Sequence, residues 1–176
     1  MNAYQLAKLV EWAGTLRARK RLQKVVYLLQ QAGCPVNADY TLHHYGPYSP
    51  DVARRTDAMV QAKLLDEEET GSSYSYELSE TARVQLDRVG GDRGLRQRHA
   101  EFHRFEPLAR RLLQEPDLQK LEFAATIAYF RQQVRDRTWQ AAREAAATFK
   151  KQQPNSQVMR DAEDFARQVL EPEDPD

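Results

Sequence analysis

The chain has 176 residues, 30% of them charged and 9% aromatic, with 26 lysines and arginines against 26 aspartates and glutamates. This length holds one ordinary domain, or a domain with an annex, and buries a hydrophobic core without staples; the single cysteine, Cys34, excludes an internal disulfide and fits a reducing compartment. The balanced charge leaves nucleic acid binding to be judged from how charge is distributed. No signal core opens the sequence and no apolar run approaches a membrane span, so a soluble, cytoplasmic, helix-rich protein is expected.

The first predicted helix runs from about Ala3 to Ala13, where Leu6, Leu9, Val10 and Ala13 share one face, with Asn2 to cap it and Gly14 to end it. The second starts near Arg19 and ends at Gly33, with Leu22, Val25, Val26 and Leu29 at the same spacing. Ala38 to Tyr45 alternates as a short strand, and Gly46-Pro47 breaks it. Ser49-Pro50-Asp51 is a strong helix start, and the third helix reaches about Leu65. The period then changes from 3.6 to 2: Leu65 to Thr70 and Tyr74 to Leu78 read as a hairpin around Gly71. Ser79 caps a fourth helix that Gly90-Gly91 ends.

Beyond Gly91 every signal is helical. Leu95 to Phe105 is a basic amphipathic segment, Pro107 opens a new turn, and Leu121 to Phe130 is apolar almost all round and so should be buried. Thr138 caps a helix carrying Trp139, Ala142, Ala146 and Phe149, and Val158, Ala162, Phe165, Ala166 and Val169 form the last apolar stripe. The expected fold is therefore mainly α with a small β-hairpin: a winged-helix-like domain over residues 1–90, a helical C-terminal domain over 91–170 and a disordered acidic tail over 171–176.

Two motifs carry a resemblance. Arg19-Lys20-Arg21-Leu22-Gln23-Lys24-Val25-Val26-Tyr27 is followed by His44-Tyr45-Gly46-Pro47-Tyr48-Ser49 and a helix. This pattern, with Leu121 to Thr126 and the Trp139 helix, is similar to the YwgA-like family of small prokaryotic proteins. More distantly it resembles the SocA/Panacea-type antitoxins. The resemblance implies an antitoxin, adaptor or phage-associated regulatory protein and not an enzyme, and it brings no catalytic or cofactor-binding residue to Lys24, Tyr45, Gly46 or Tyr48.

The candidate binding residues follow from charge and aromaticity. Arg19, Lys20, Arg21 and Lys24, with Arg17, form a basic cluster at the start of the second helix, fit for phosphates or an acidic partner, or simply a solvated face. Tyr45 and Tyr48 flank the glycine-proline turn, and with Tyr74 and Tyr76 they are candidate anchors for a protein, unless the turn is a rigid connector packed on the second helix. Arg54 and Arg55 sit where a recognition helix would read base edges. Against DNA stands the hairpin, whose Asp66, Glu67, Glu68 and Glu69 repel phosphates.

Three further features are read as structural. His99 and His103 are four apart, a metal spacing, but no third ligand is near in sequence and a structural pair is expected. Cys34 lacks a base and an orienting group. Glu122 and Thr126 share one polar stripe of an otherwise apolar helix, facing solvent or bonded to a neighbouring helix. The first reading is thus a non-enzymatic regulatory or adaptor protein that binds a protein partner, without cofactor or metal. The second is a winged helix-turn-helix transcriptional regulator, a homodimer through its apolar C-terminal helices. The third is a metal-dependent enzyme through His99 and His103.

Overall fold

The computed structural model describes residues 1–71 and 73–172. Helix α1 (Ala3–Ala13) starts on a capping box in which Asn2 and Gln5 each accept from the other's backbone N–H. Strand β1 (Leu16–Arg17) leads to α2 (Arg19–Gln31), β2 (Thr41–His43), β3 (Gly46–Tyr48) and α3 (Pro50–Gln61). The side chain of Ser49 caps α3, with Pro50 in its first turn. Strands β4 (Leu65–Thr70) and β5 (Ser73–Leu78) form the hairpin, and Ser79 caps α4 (Glu80–Gly91). Six helices follow: α5 (Arg93–Arg98), α6 (Ala100–His103), α7 (Glu106–Gln114), α8 (Leu118–Gln133), α9 (Trp139–Lys150) and α10 (Gln157–Leu170). The chain is mainly helical with a small antiparallel hairpin, as its periodicity predicts. Among the described residues no helix is long and apolar enough to cross a membrane.

The sheets differ from the expectation in two places. Strand β1 pairs with β5 (Leu16 opposite Tyr76), giving a three-stranded sheet in the order β1-β5-β4. Two residues are too few to display alternation, so this strand leaves no period in the sequence. The single strand expected over Ala38 to Tyr45 is instead a hairpin, β2 paired with β3, turning at His44-Tyr45. Gly46-Pro47 does not break the strand but begins the second one. Proline is tolerated because in a two-stranded sheet each strand is an edge.

Two helices form the centre. In α2 every residue from Leu22 to Leu29 is buried, and in α8 every residue from Leu121 to Ala128. They pack on each other; α8 also carries α9, α10 and β3, while α7 covers α1 and α2. A helix enclosed on all sides has no polar face to show, which is why α8 reads as apolar all round. The boundary expected at Gly90-Gly91 falls at the end of α4, yet one buried cluster contains Leu6, Val25 and Leu29 together with Ala109, Leu112, Ile127 and Phe165. Most of the apolar stripes of α9 and α10 is buried within the chain itself, with Phe149 and Val158 partly exposed. Of the expected disordered tail, Glu171 is held by Arg131 at 2.5 Å and by the indole of Trp139 at 2.9 Å; residues 173–176 lie outside the described residues.

Candidate functional site

The two sequence motifs meet in space. Gln23, one turn into α2, grips the backbone of Ser49 from both sides: its amide donates to the Ser49 carbonyl at 3.0 Å and its oxygen accepts from the Ser49 N–H at 2.8 Å. The next residue, Lys24, donates from Nζ to the Pro47 carbonyl at 2.6 Å. As the chain leaves the extended β3 for α3, the Ser49 carbonyl already takes the first helical bond from Ala53 N–H, and α2 supplies side chains for the Ser49 N–H and the Pro47 carbonyl. Replacing Gln23 by leucine strands the buried Ser49 N–H, while the Ser49 carbonyl keeps the Ala53 N–H of α3 at 3.2 Å, and should cost about 1–3 kcal/mol, read as a fall in the urea midpoint; an unchanged midpoint would show that water substitutes for the clamp.

Gly46 seats the hairpin on α8. Its φ is +86°, and a Cβ there would lie inside 3.0 Å of Thr126 Oγ1. Thr126 in turn donates to the carbonyl of Glu122, one helical turn earlier. The Glu122 side chain, 10% exposed, pairs with Lys150 at 2.5 Å and with Lys20 at 3.1 Å. Lys150 also donates to the His44 carbonyl at 3.0 Å, and Lys20 Nζ stands 3.8 Å from the centre of the Tyr45 ring. Between α2, α3 and this hairpin lies a cavity of about 300 Å³, walled by Leu22, Tyr45, Tyr48 and Val52, with Lys20 and Lys24 among its lining. That size is at the small end of ligand pockets.

Burial pushes the Lys24 ammonium down to about 7, and neighbouring Lys150 and Lys20 push the same way, with Glu122 opposing. In the unfolded chain this lysine titrates near its ordinary value, so between about pH 7 and 10 the unfolded state binds more protons and stability from this group rises with pH. Raising pH from about 7 to 9 should therefore increase the Tm of the wild type relative to Lys24→Met; parallel curves for the two would show that Lys24 stays protonated in the fold.

The basic cluster of the sequence does not act as one. Arg19 pairs with Asp57 at 3.0 Å and Glu67 at 2.7 Å, bonds the Tyr76 hydroxyl and lies over the Tyr74 ring. It ties α2 to α3 and the β4-β5 hairpin. Arg21 turns away to the last carbonyls of α7, at Leu113 and Glu115. Lys24 is buried, and of the four Lys20 and Arg19 line the cavity with charges partly open to solvent, Arg19 held by Asp57 and Glu67 and Lys20 by Glu122. A helix turns about 100° per residue, so consecutive cations diverge to different neighbours.

Among the tyrosines, Tyr45 is 55% exposed at the hairpin tip, Tyr48 is half-buried and stacked on His43 at 4.7 Å, and Tyr74 is half-buried. Tyr76 is completely buried, which removes it from the exposed anchors: alternation places it on the same face as Leu78. Arg54 and Arg55 are exposed on α3, with Arg54 bonded to Asp51. His103 Nε2 meets the Tyr4 hydroxyl at 2.7 Å and His99 stacks on the Tyr4 ring at 4.0 Å, so the pair serves to fix α5 and α6 on α1. Among the described residues no group of three histidines, cysteines or acids is placed to hold a metal. Cys34 is buried, and burial pushes its thiol up to about 12.

Lys150 gave no signal in the sequence, whereas Glu122 did, as a lone carboxylate on an apolar helix. The site thus draws on α2, α8, α9 and the β2-β3 hairpin, elements more than 100 residues apart. No family model matches the chain. It is 32% identical over 92 residues to the uncharacterized protein YwgA of Bacillus subtilis (strain 168), a match that covers 50% of this chain and 55% of that protein. The chain spans about half the length of the curated relative it matches, and its similarity is to a YwgA-like protein.

Proposed function

We propose that this chain is a non-enzymatic regulatory or adaptor protein that docks a protein partner on the face formed by α2, α3 and the β2-β3 hairpin. The order α1-β1-α2-β2-β3-α3-β4-β5, with β1 beside β5 and the β2-β3 hairpin inserted between α2 and α3, supports a winged-helix reading of this half. The observation that carries the docking reading is Tyr45: a large aromatic side chain, 55% exposed, at the lip of a cavity with apolar walls. Exposed tyrosine beside a pocket is the composition of a binding hot spot. The distant likeness to the SocA/Panacea-type antitoxins is in keeping with a regulatory role. The test is affinity capture with the full chain and with Tyr45→Ala, each checked for an unchanged Tm. A stoichiometric partner kept by the wild type and lost by the variant is expected; a partner held equally by both, or no partner at all, overturns the reading.

The exposure of Arg54 and Arg55 on α3 favours a second reading, a DNA-binding regulator. Four exposed acids on β4, Asp66 to Glu69, weigh against it, because the wing of such a protein follows the phosphate backbone. Anisotropy with a random duplex at about 50 and 200 mM salt separates the two. Salt-sensitive binding that Arg54→Glu with Arg55→Glu abolishes would install the second reading in place of the first.

A further inference from the structure

Lys24 is a buried ammonium with an incomplete set of partners. It is 2% exposed, and its Nζ donates to the Pro47 carbonyl. An ammonium carries three donors, and among the described residues no second acceptor is within hydrogen-bond range. Glu122, the carboxylate that acts on it, is engaged elsewhere, one oxygen on Lys150 and the other on Lys20. Three lysines thus share one carboxylate, and two of them, Lys20 and Lys24, line a cavity whose apolar walls are Leu22, Val52, Ala53 and the rings of Tyr45 and Tyr48.

This lining selects a ligand. A neutral apolar group would leave the remaining donors of Lys24 buried and unmet. A phosphate would bring more charge and more acceptors than one inner ammonium can meet, and the other polar side chains of the lining are already engaged: Arg19 on Asp57 and Glu67, Gln23 on Ser49, and Thr56 on the Val52 carbonyl. A single carboxylate joined to an apolar group satisfies both parts. We propose that the cavity binds a carboxylate carried on an apolar side group, its oxygen accepting from Lys24 Nζ while the side group lies against Leu22, Val52 and Tyr48. The inference rests on the docking reading, and names what the docked partner inserts: a C-terminal residue with an apolar side chain. The same chemistry is offered by a free small carboxylic acid, and the experiment separates the two.

The experiment is calorimetric titration of the full chain with three probes: a short glycine-serine peptide ending in leucine with a free carboxyl, the same peptide amidated, and 4-methylpentanoate. The free-acid peptide is expected to bind, the amidated one at least about tenfold more weakly, and Lys24→Met to lose about tenfold to a hundredfold, the factor for one hydrogen bond to a charged group. Binding of 4-methylpentanoate alone, with the same dependence on Lys24, keeps the site and assigns the source to a free acid. If Lys24→Met does not fold, the wild type decides through the comparison of the free acid with the amide, and proton uptake in buffers of different ionisation heat at about pH 8 would add that Lys24 is neutral before binding. A bound anion holds Lys24 charged, and the other groups facing it are Lys20 on α2, Glu122 on α8, Lys150 on α9, and His43 and Tyr45 on the hairpin. No binding by any probe, equal binding of acid and amide, or a folded Lys24→Met that binds like the wild type overturns the inference. A partner that needs Tyr45 but ignores Lys24 and its own C-terminal amidation would overturn it while leaving the docking reading in place.

Discussion

Gly46→Ala should destabilise the chain by roughly 3 kcal/mol, a large part of the total for a domain of this size. Two separate effects add. The backbone at Gly46 has φ +86°, which a residue with a Cβ reaches only at a cost of about 1–2 kcal/mol. The new methyl would also overlap Thr126 Oγ1, whose helix is fixed between α2, α9 and α10 and cannot retreat. The two effects are separable by a double-mutant cycle, because Thr126→Ala removes the overlapping oxygen and leaves the φ unchanged. Gly46→Ala in the Thr126→Ala background should therefore cost less by about 1 kcal/mol, read from urea midpoints by circular dichroism. A Gly46→Ala loss below about 1 kcal/mol, or strict additivity with Thr126→Ala, would mean that the hairpin is not seated on α8 as described.

Glu122→Ala should cost about 3–5 kcal/mol, the range for removing one member of a buried ion pair. The Glu122 and Lys150 side chains are 10% and 6% exposed, so removal leaves a desolvated ammonium without its partner. Lys20 and Lys24 lie close enough to add repulsion. The companion variant is Glu122→Met with Lys150→Met, which removes both charges and fills the space with flexible apolar side chains. It should recover most of the loss, because an apolar pair of similar volume often matches a buried ion pair. Thermal denaturation of the three proteins decides: a double variant as unstable as Glu122→Ala would show that the carboxylate is needed for more than neutralising Lys150.

What the sequence revealed and what it concealed divide along local and non-local chemistry. The caps at Asn2, Ser49, Ser79 and Thr138 are side chains bonding backbone three residues on, so the residue and its neighbours carry the whole signal. The alternation of β4 and β5 is local in the same sense. Other features depend on contacts that no window contains. The break at His99 between α5 and α6 is set where Tyr4 of α1 stacks on that ring, and the basic amphipathic segment expected over Leu95 to Phe105 does not foretell it. Lys24 reads as part of a surface cluster until Pro47 and the hairpin are laid over it. Tyr76 was legible: its parity with Leu78 points it inward, and only its residue type suggested an interface.

The candidate site was half visible for the same reason. The Leu22-Gln23-Lys24 and Tyr45-Gly46-Pro47 motifs stand out as strings, and each proves to be the contact surface of the other. Lys150 sits at the end of an alanine-rich helix with nothing around it to mark it. It gains its role from Glu122 and the His44 carbonyl, which fold onto it from other elements.

The enclosure of α2 by both halves has a consequence for how the chain is made. Synthesis delivers the first 90 residues well before α8 exists, and until α8 emerges one whole side of α2 is wet. The seat of Gly46 and the counter-ion of Lys20 are both supplied by residues about 80 to 100 positions later. Closing such a loop is slow compared with forming a helix. A nascent chain halted near residue 90 would therefore present bare apolar surface to whatever chaperone or aggregate it met first.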